Sequence, residues 1–250
     1  MLPALTAFAC SASPNPLPRA AAGAPAISIL TYNVNFEQFT LDTVDAVLSA
    51  DADVVALQET HAQWEAAFRE RAVAYPFIEF RDHGPDGGMG ILSRFPVTTA
   101  GWLASPVDRF PAWGLVLETP IGALDALLVH LHPPLDEHGL FTGYFTTGGQ
   151  RVAEIEAHLT RFDRAPDLLV GDFNEGEGGA IDRIEAAGLR DAAFAFPPAI
   201  RTWSWTTQFG EREGRPDHVF HSPDLAPVSV EVMEAGGSDH RPLLVRLARR

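Results

Sequence analysis

The chain has 250 residues, 46% of them hydrophobic, which is enough for one large core and argues for a single domain. Its formal net charge of -15 comes from 33 acidic against 18 basic residues, every basic one an arginine, and disfavours general binding to polyanions. The single cysteine, Cys10, excludes an intramolecular disulfide and any multi-cysteine zinc site.

Residues 1–26 are rich in Ala and Pro, carry one charge at Arg19, and hold neither a strand nor a helix period, so they read as a tail. "LTAFAC" has the small residues that precede the modified cysteine of a bacterial lipoprotein signal, which makes Cys10 a candidate lipid anchor. No Lys or Arg precedes that apolar run, so export or lipid anchoring and a cytosolic location both stay open. No other stretch is long and uncharged enough to span a membrane.

From residue 27 to 250 strands outnumber helices. "AISILTYNV" is β-rich and runs into Asn33; "TLDTVDAVLSA" places Val44, Val47 and Leu48 on one helical face behind a Thr40 cap. "DVVALQE" is a buried strand ending at Glu59, and "HAQWEAAFRERAV" a second helix. "GGMGILS", "WGLVLETP" and "ALDALLVHLH" follow as strands separated by Gly and Pro. "QRVAEIEAHLTRF" puts Val152, Ile155, Leu159 and Phe162 on one stripe, and "DLLVGDFN" is a buried strand that stops at polar residues. "TWSWTT", "PDHVFHS", "PVSVEVM" and "PLLVRLA" complete the strands. Helices interrupting runs of strands predict an α+β fold of two packed sheets with helices outside.

Asn33, Glu59, His130, Asp172, Asn174, Asp217, Asp239 and His240 all fall at the ends of these apolar runs. Should those ends converge, the carboxylates would repel one another unless a divalent cation neutralised them, and oxygen donors suit Mg²⁺ or Mn²⁺. A bound metal ion is therefore implied. In "AGGSDHRPLLVRL", Gly236 and Gly237 allow a tight turn that delivers Asp239 and His240 to the mouth of the last strand.

The series "TYNVN", "LQE", "GGMGILSRFP", "VHLH", "GDFN", "RPDHVF" and "SDHRP", in this order, resembles the endonuclease/exonuclease/phosphatase superfamily over Ile27 to Leu247. The resemblance implies a four-layer α/β/β/α sandwich of two mixed sheets, and a metal-dependent phosphoesterase. By matching position it makes Glu59 the main metal carboxylate, supported by Asn33 and helped by Asp239. His240 would be the general base or a phosphate-contacting residue, with Asp217 holding its other nitrogen. Asp172 and Asn174 would position water and bind phosphoryl oxygens, and His130 would donate to the phosphorane. Asn35 stands where many nucleases of the family have Asp, which implies one metal ion instead of two.

Each residue alone has a blander explanation. "GDFN" by itself reads as an Asx turn, Asn33 and Glu59 as strand ends, and Asp217 as an ion-pair partner of Arg215 or Arg241. Eight such coincidences are needed where the functional reading needs one. Trp203, Trp205 and Tyr144 are candidate substrate contacts, and residues 133–149 a candidate substrate loop, though core or rim packing explains the tryptophans equally well. The charge favours a small or lipid-derived ester over long nucleic acid. A secreted nuclease and a non-catalytic binding module of the same fold are the alternatives, and a monomer is expected.

Overall fold

Strand periodicity sets the layers. In β1 (Ala26–Asn33), Ile27 and Ile29 join one apolar cluster while Leu30 and Tyr32 join another, as residues on alternating faces of a pleated strand must. In β7 (Gly122–His130), Leu124, Ala126 and Leu128 share the cluster of Ile27, whereas Leu127 and Val129 belong to a third. Three apolar layers require four layers of chain. The computed structural model describes residues 23–84, 86–135, 146–196, 200–207, 210–234 and 236–250, with Ala20 and Gly143.

The first sheet takes β1, β2 (Val54–Gln58), β3 (Phe77–Arg81), β4 (Met89–Ser93), β13 (Leu225–Val232) and β14 (Leu243–Arg249), in the order β13-β14-β1-β2-β4-β3. The second takes β5 (Val97–Leu103), β6 (Ala112–Thr119), β7, β8 (Leu168–Asp172), β9 (Arg190–Asp191) and β12 (Asp217–His221), in the order β5-β6-β7-β8-β12-β9. A separate ribbon pairs β10 (Trp203–Thr207) with β11 (Gly210–Gly214). Helices α1 (Leu41–Ser49) and α2 (Ala62–Arg71) cover the first sheet through Val44, Val47, Trp64 and Phe68. Helices α3 (Gly148–Leu159) and α4 (Gly179–Ala186) cover the second through Ile155, Ile181 and Ile184. The expected α/β/β/α sandwich is therefore the observed one. Among the described residues no helix is long and apolar enough to cross a membrane.

Each sheet contains a single parallel pair, β1 with β2 and β7 with β8, and its remaining pairs are antiparallel. Parallel strands deliver their C-terminal ends to one edge. Antiparallel neighbours β12 and β14 deliver their beginnings to that same edge. This is why residues from six separate strands can meet.

The sequence signals for α1 hold in detail, since the Thr40 hydroxyl accepts from Thr43 N at 3.1 Å. Strands β3, β5, β9 and β11 and helix α4 had no clear sequence signal. Strand β11, "GEREG", has no apolar residue, and α4 begins at a glycine. Helix α3 buries Arg151, Glu154 and His158 beside the expected Ile155.

His158 makes a testable point about this packing. Burial, aided by Arg161, lowers its pKa to about 4, against about 6.5 for a free histidine. The unfolded chain then takes up a proton first as pH falls, so stability is intact above about 6.5 and is lost toward 4. The loss from this group is about 2 kcal/mol at about pH 5. Unfolding of wild type and His158→Gln at neutral and acid pH should show a smaller acid drop in the variant; equal drops would contradict the assignment.

Candidate active site

The shared edge of the two sheets opens into a cleft of about 800 Å³. On the second sheet His130, Asp172 and Asp217 occupy one rung, His130 opposite Asp172 and Asp172 opposite Asp217. All three lie on the same face as Leu128, Val170 and Val219, and so point between the sheets. Gly171 of "GDFN" sits at φ +144°, with its α-carbon against the Val129 carbonyl oxygen where a Cβ has no room. Close approach of β7 and β8 thus requires the glycine.

From the first sheet come Asn33 and Glu59. Asn33 Nδ2 donates to Glu59 Oε1 at 2.9 Å and to Asp172 Oδ2 at 3.0 Å, joining the sheets through one amide. Strand alternation would send Glu59 to the helix face with Val55 and Leu57. Its backbone instead adopts φ 59°, and the side chain meets Asn33, which faces the cleft. Asn35 at φ 59° and Asn174 at φ 51° share this left-handed conformation, uncommon outside glycine. Three of the five left-handed non-glycine residues among those described thus border the cleft, the others being Asp51 and Asp108.

Opposing charges tune the group. Burial raises the Glu59 pKa, while hydrogen bonds from Asn33 and from Phe36 N, at 3.2 Å to Oε2, oppose the rise. Burial likewise pushes Asp172 up to about 7, partly offset by His240 and by Asn174 N at 2.8 Å. His240 Nδ1 donates to Asp217 Oδ2 at 2.9 Å, and its Nε2 lies 3.6 Å from Asp172 Oδ2. Burial alone would lower the His240 pKa, but Asp217 and Asp172 hold it up to about 10. His130 is the opposite case: burial, His240 and Arg109 bring it down to about 3, so its ring is neutral. Its Nε2 stands 3.8 Å from Glu59 Oε1 and 3.7 Å from Asp172 Oδ2.

The cleft therefore brings together Asn33, Glu59, His130, Asp172, Asn174, Asp217 and His240. Asn174 donates from Nδ2 to Leu131 O at 2.9 Å. Asp239 joins at the mouth, hydrogen-bonded to Asn35 and Trp203. Trp203 and Trp205 line the wall, Trp205 being 47% exposed, so both expected positions border the cleft. Tyr144 lies outside the described residues, as does much of the stretch 133–149. Sequence reasoning missed Phe110, whose ring stacks on His130 with centroids 4.0 Å apart, and Arg109, whose guanidinium lies over Phe110. Only the "RFP" tripeptide before β6 marked that position, and nothing in it signals a stacking partner twenty residues later.

Three or more carboxylates here face one histidine cation, and the donors offered by Asn33, Glu59 and Asp239 are all oxygen-bearing groups suited to a hard divalent ion. The residues present fit such an ion. Among the described residues, Asp172, Asp217 and His240 also gather closely enough to share one, although the His240–Asp217 hydrogen bond already occupies Nδ1.

Two packed sheets flanked by helices, with an acid–histidine cleft where their strand ends meet, are the fold and site expected of the family that the motifs resemble. The chain belongs to the Endonuclease/Exonuclease/phosphatase family, whose model matches residues 30–240. Among solved structures it is similar to D. rerio TDP2 complexed with a single-stranded DNA product, at 21% identity and a TM-score of 0.66 over 89% of this chain and 98% of that one. It is similar also to the endonuclease/exonuclease/phosphatase from Beutenbergia cavernae, at 18% identity and a TM-score of 0.67 over 90% and 72%. The human Nocturnin catalytic domain with bound sulfate is a third, at 16% identity and a TM-score of 0.66 over 90% and 94%. No curated protein matches the sequence.

Proposed function

We propose that this protein is a divalent-metal-dependent hydrolase of small or lipid-derived phosphate esters, using Mg²⁺ or Mn²⁺. The observation that carries the reading is the hydrogen-bonded set Glu59–Asn33–Asp172 beside the Asp217–His240 pair in one cleft. A module that only binds has no use for a buried histidine held by two carboxylates.

In this reading Glu59, Asn33 and Asp239 would hold a cation, which when bound would draw charge from the phosphoryl oxygens. Asp172 and Asn174 orient the attacking water. Nε2 of His240, the ring nitrogen that Asp217 does not hold, would accept the water proton when the ring is neutral, a form that a bound cation would favour. Asp217 at Nδ1 then stabilises the imidazolium. His130, neutral at physiological pH, offers an N–H to a phosphoryl oxygen without adding charge. Trp203 and Trp205 form the substrate wall, and Tyr144 stays a substrate-contact candidate on sequence grounds alone.

Cleft charge favours a small substrate. Glu37, Glu177 and Glu213 add negative charge around the catalytic acids. Two of the three lining arginines are already tied to carboxylates, Arg109 to Asp86 at 2.7 Å and Arg215 to Asp191 at 2.5 Å. A long polyanion finds little to neutralise it there. The nuclease alternative draws support from the DNA product named for D. rerio TDP2. Hydrolysis of bis-p-nitrophenyl phosphate, p-nitrophenyl phosphate and plasmid DNA, with Mg²⁺, Mn²⁺ or EDTA, separates the readings. Metal-dependent release of p-nitrophenol with intact plasmid is expected; plasmid cleavage faster than ester cleavage would favour the nuclease, and no cleavage of any of the three would count against an enzyme.

A further inference from the structure

Asp239 is exposed at the cleft mouth, yet both of its carboxylate oxygens are held. Asn35 Nδ2 donates to Oδ1 at 3.1 Å and Trp203 Nε1 donates to Oδ2 at 2.8 Å. Both donors are uncharged, so they fix the carboxylate's direction and leave its negative charge uncancelled. Each donor is itself anchored. Asn35 takes the left-handed φ of 59° and gives its backbone N–H to Asn33 Oδ1 at 3.1 Å. Trp203 opens β10 and forms an isolated antiparallel bridge with His240. Ser204 N donates to Asp239 O at 3.0 Å and Arg241 N to Thr202 O at 2.6 Å, fastening the ribbon's root along the segment that carries Asp239 and His240.

We propose that Asn35 and Trp203 are positioning residues that clamp Asp239 toward the cation, so that the seating of the β10–β11 ribbon sets metal affinity. This rests on the metal role proposed for Asp239. Trp203 then serves twice over, its ring lining the cleft while its N–H edge holds Asp239. Indole has one donor and no acceptor, so exchanging it for phenylalanine removes one of the clamp's two donors and retains an aromatic ring on the same strand.

Mn²⁺ titration by calorimetry, on wild type, Trp203→Phe, Asp239→Asn and the double variant, reads the clamp without catalysis. Loss of an outer partner of a metal ligand weakens binding by about 10- to 100-fold. Trp203→Phe should fall in that range, and the double variant should bind no more weakly than Asp239→Asn alone. In ester hydrolysis, Trp203→Phe should need correspondingly more Mg²⁺ to reach half of its own maximal rate, a shift in metal dependence that a damaged fold would not show. Wild-type Mn²⁺ affinity in Trp203→Phe, or additive losses in the double variant, would overturn the clamp. If wild type hydrolyses no ester while Trp203→Phe still binds Mn²⁺ less tightly, the clamp stands and the enzymatic reading fails.

Discussion

Replacing His240 with alanine is expected to lower turnover of a cleaved phosphate ester by about 10²–10⁴-fold, the range general acid–base groups contribute. The size follows from where the ring sits. Nδ1 is fixed by Asp217 at 2.9 Å, so Nε2 is the only nitrogen free to face the cleft. Alanine also strips Asp217, which is fully buried, of its partner, and an unpaired buried carboxylate destabilises the fold. His240→Gln separates these effects, because its amide can donate near Asp217 but cannot titrate. Both variants should lose the rate, and the glutamine variant should melt closer to wild type. Wild-type turnover in either would remove His240 from the chemistry.

Gly171→Ala is expected to destabilise the protein by more than about 4 kcal/mol, a size reserved for a few mechanisms that include backbone overlap. A Cβ there would collide with the Val129 carbonyl oxygen of the adjacent parallel strand, a backbone atom that cannot swing aside, and φ +144° is itself unfavourable for alanine. Typical domains have only about 5–15 kcal/mol in total. Loss of soluble protein, or a urea midpoint far below wild type, is the expected outcome. A variant that unfolds like wild type would show that the two strands can separate locally. The site depends on that contact, since it keeps His130 and Asp172 on one rung.

The sequence exposed much of this site because strand ends are conspicuous: a run such as "DLLVG" stops where Asp172 begins the polar set. Parity then says which face a residue takes, and it serves for His130, Asp172 and Asp217. It fails for Glu59, where a left-handed residue reverses the alternation that Val55 and Leu57 establish. Pairings between distant segments had no local signal. Asn35 looked like a missing carboxylate, yet in the fold it is a donor to Asp239; Trp203 looked like a stacking surface, yet its N–H is engaged. The same holds for the polar interior of α3. Arg151 lies inside because Glu175 accepts from it at 2.9 Å, a partner that helix periodicity alone cannot supply.

The pairing of β1 with β14 has a practical consequence. Ala26 lies opposite Ala248, and both strands run from there to the cleft, one ending and the other beginning beside it. Eight residues of strand at about 3.3 Å each separate the two poles by roughly 26 Å. Whatever is joined ahead of Ala26 or behind Arg249 thus departs from the pole remote from the chemistry. An affinity handle or a fused partner grafted directly before Ala26 or after Arg249 would begin at the pole opposite the cleft and leave its mouth clear.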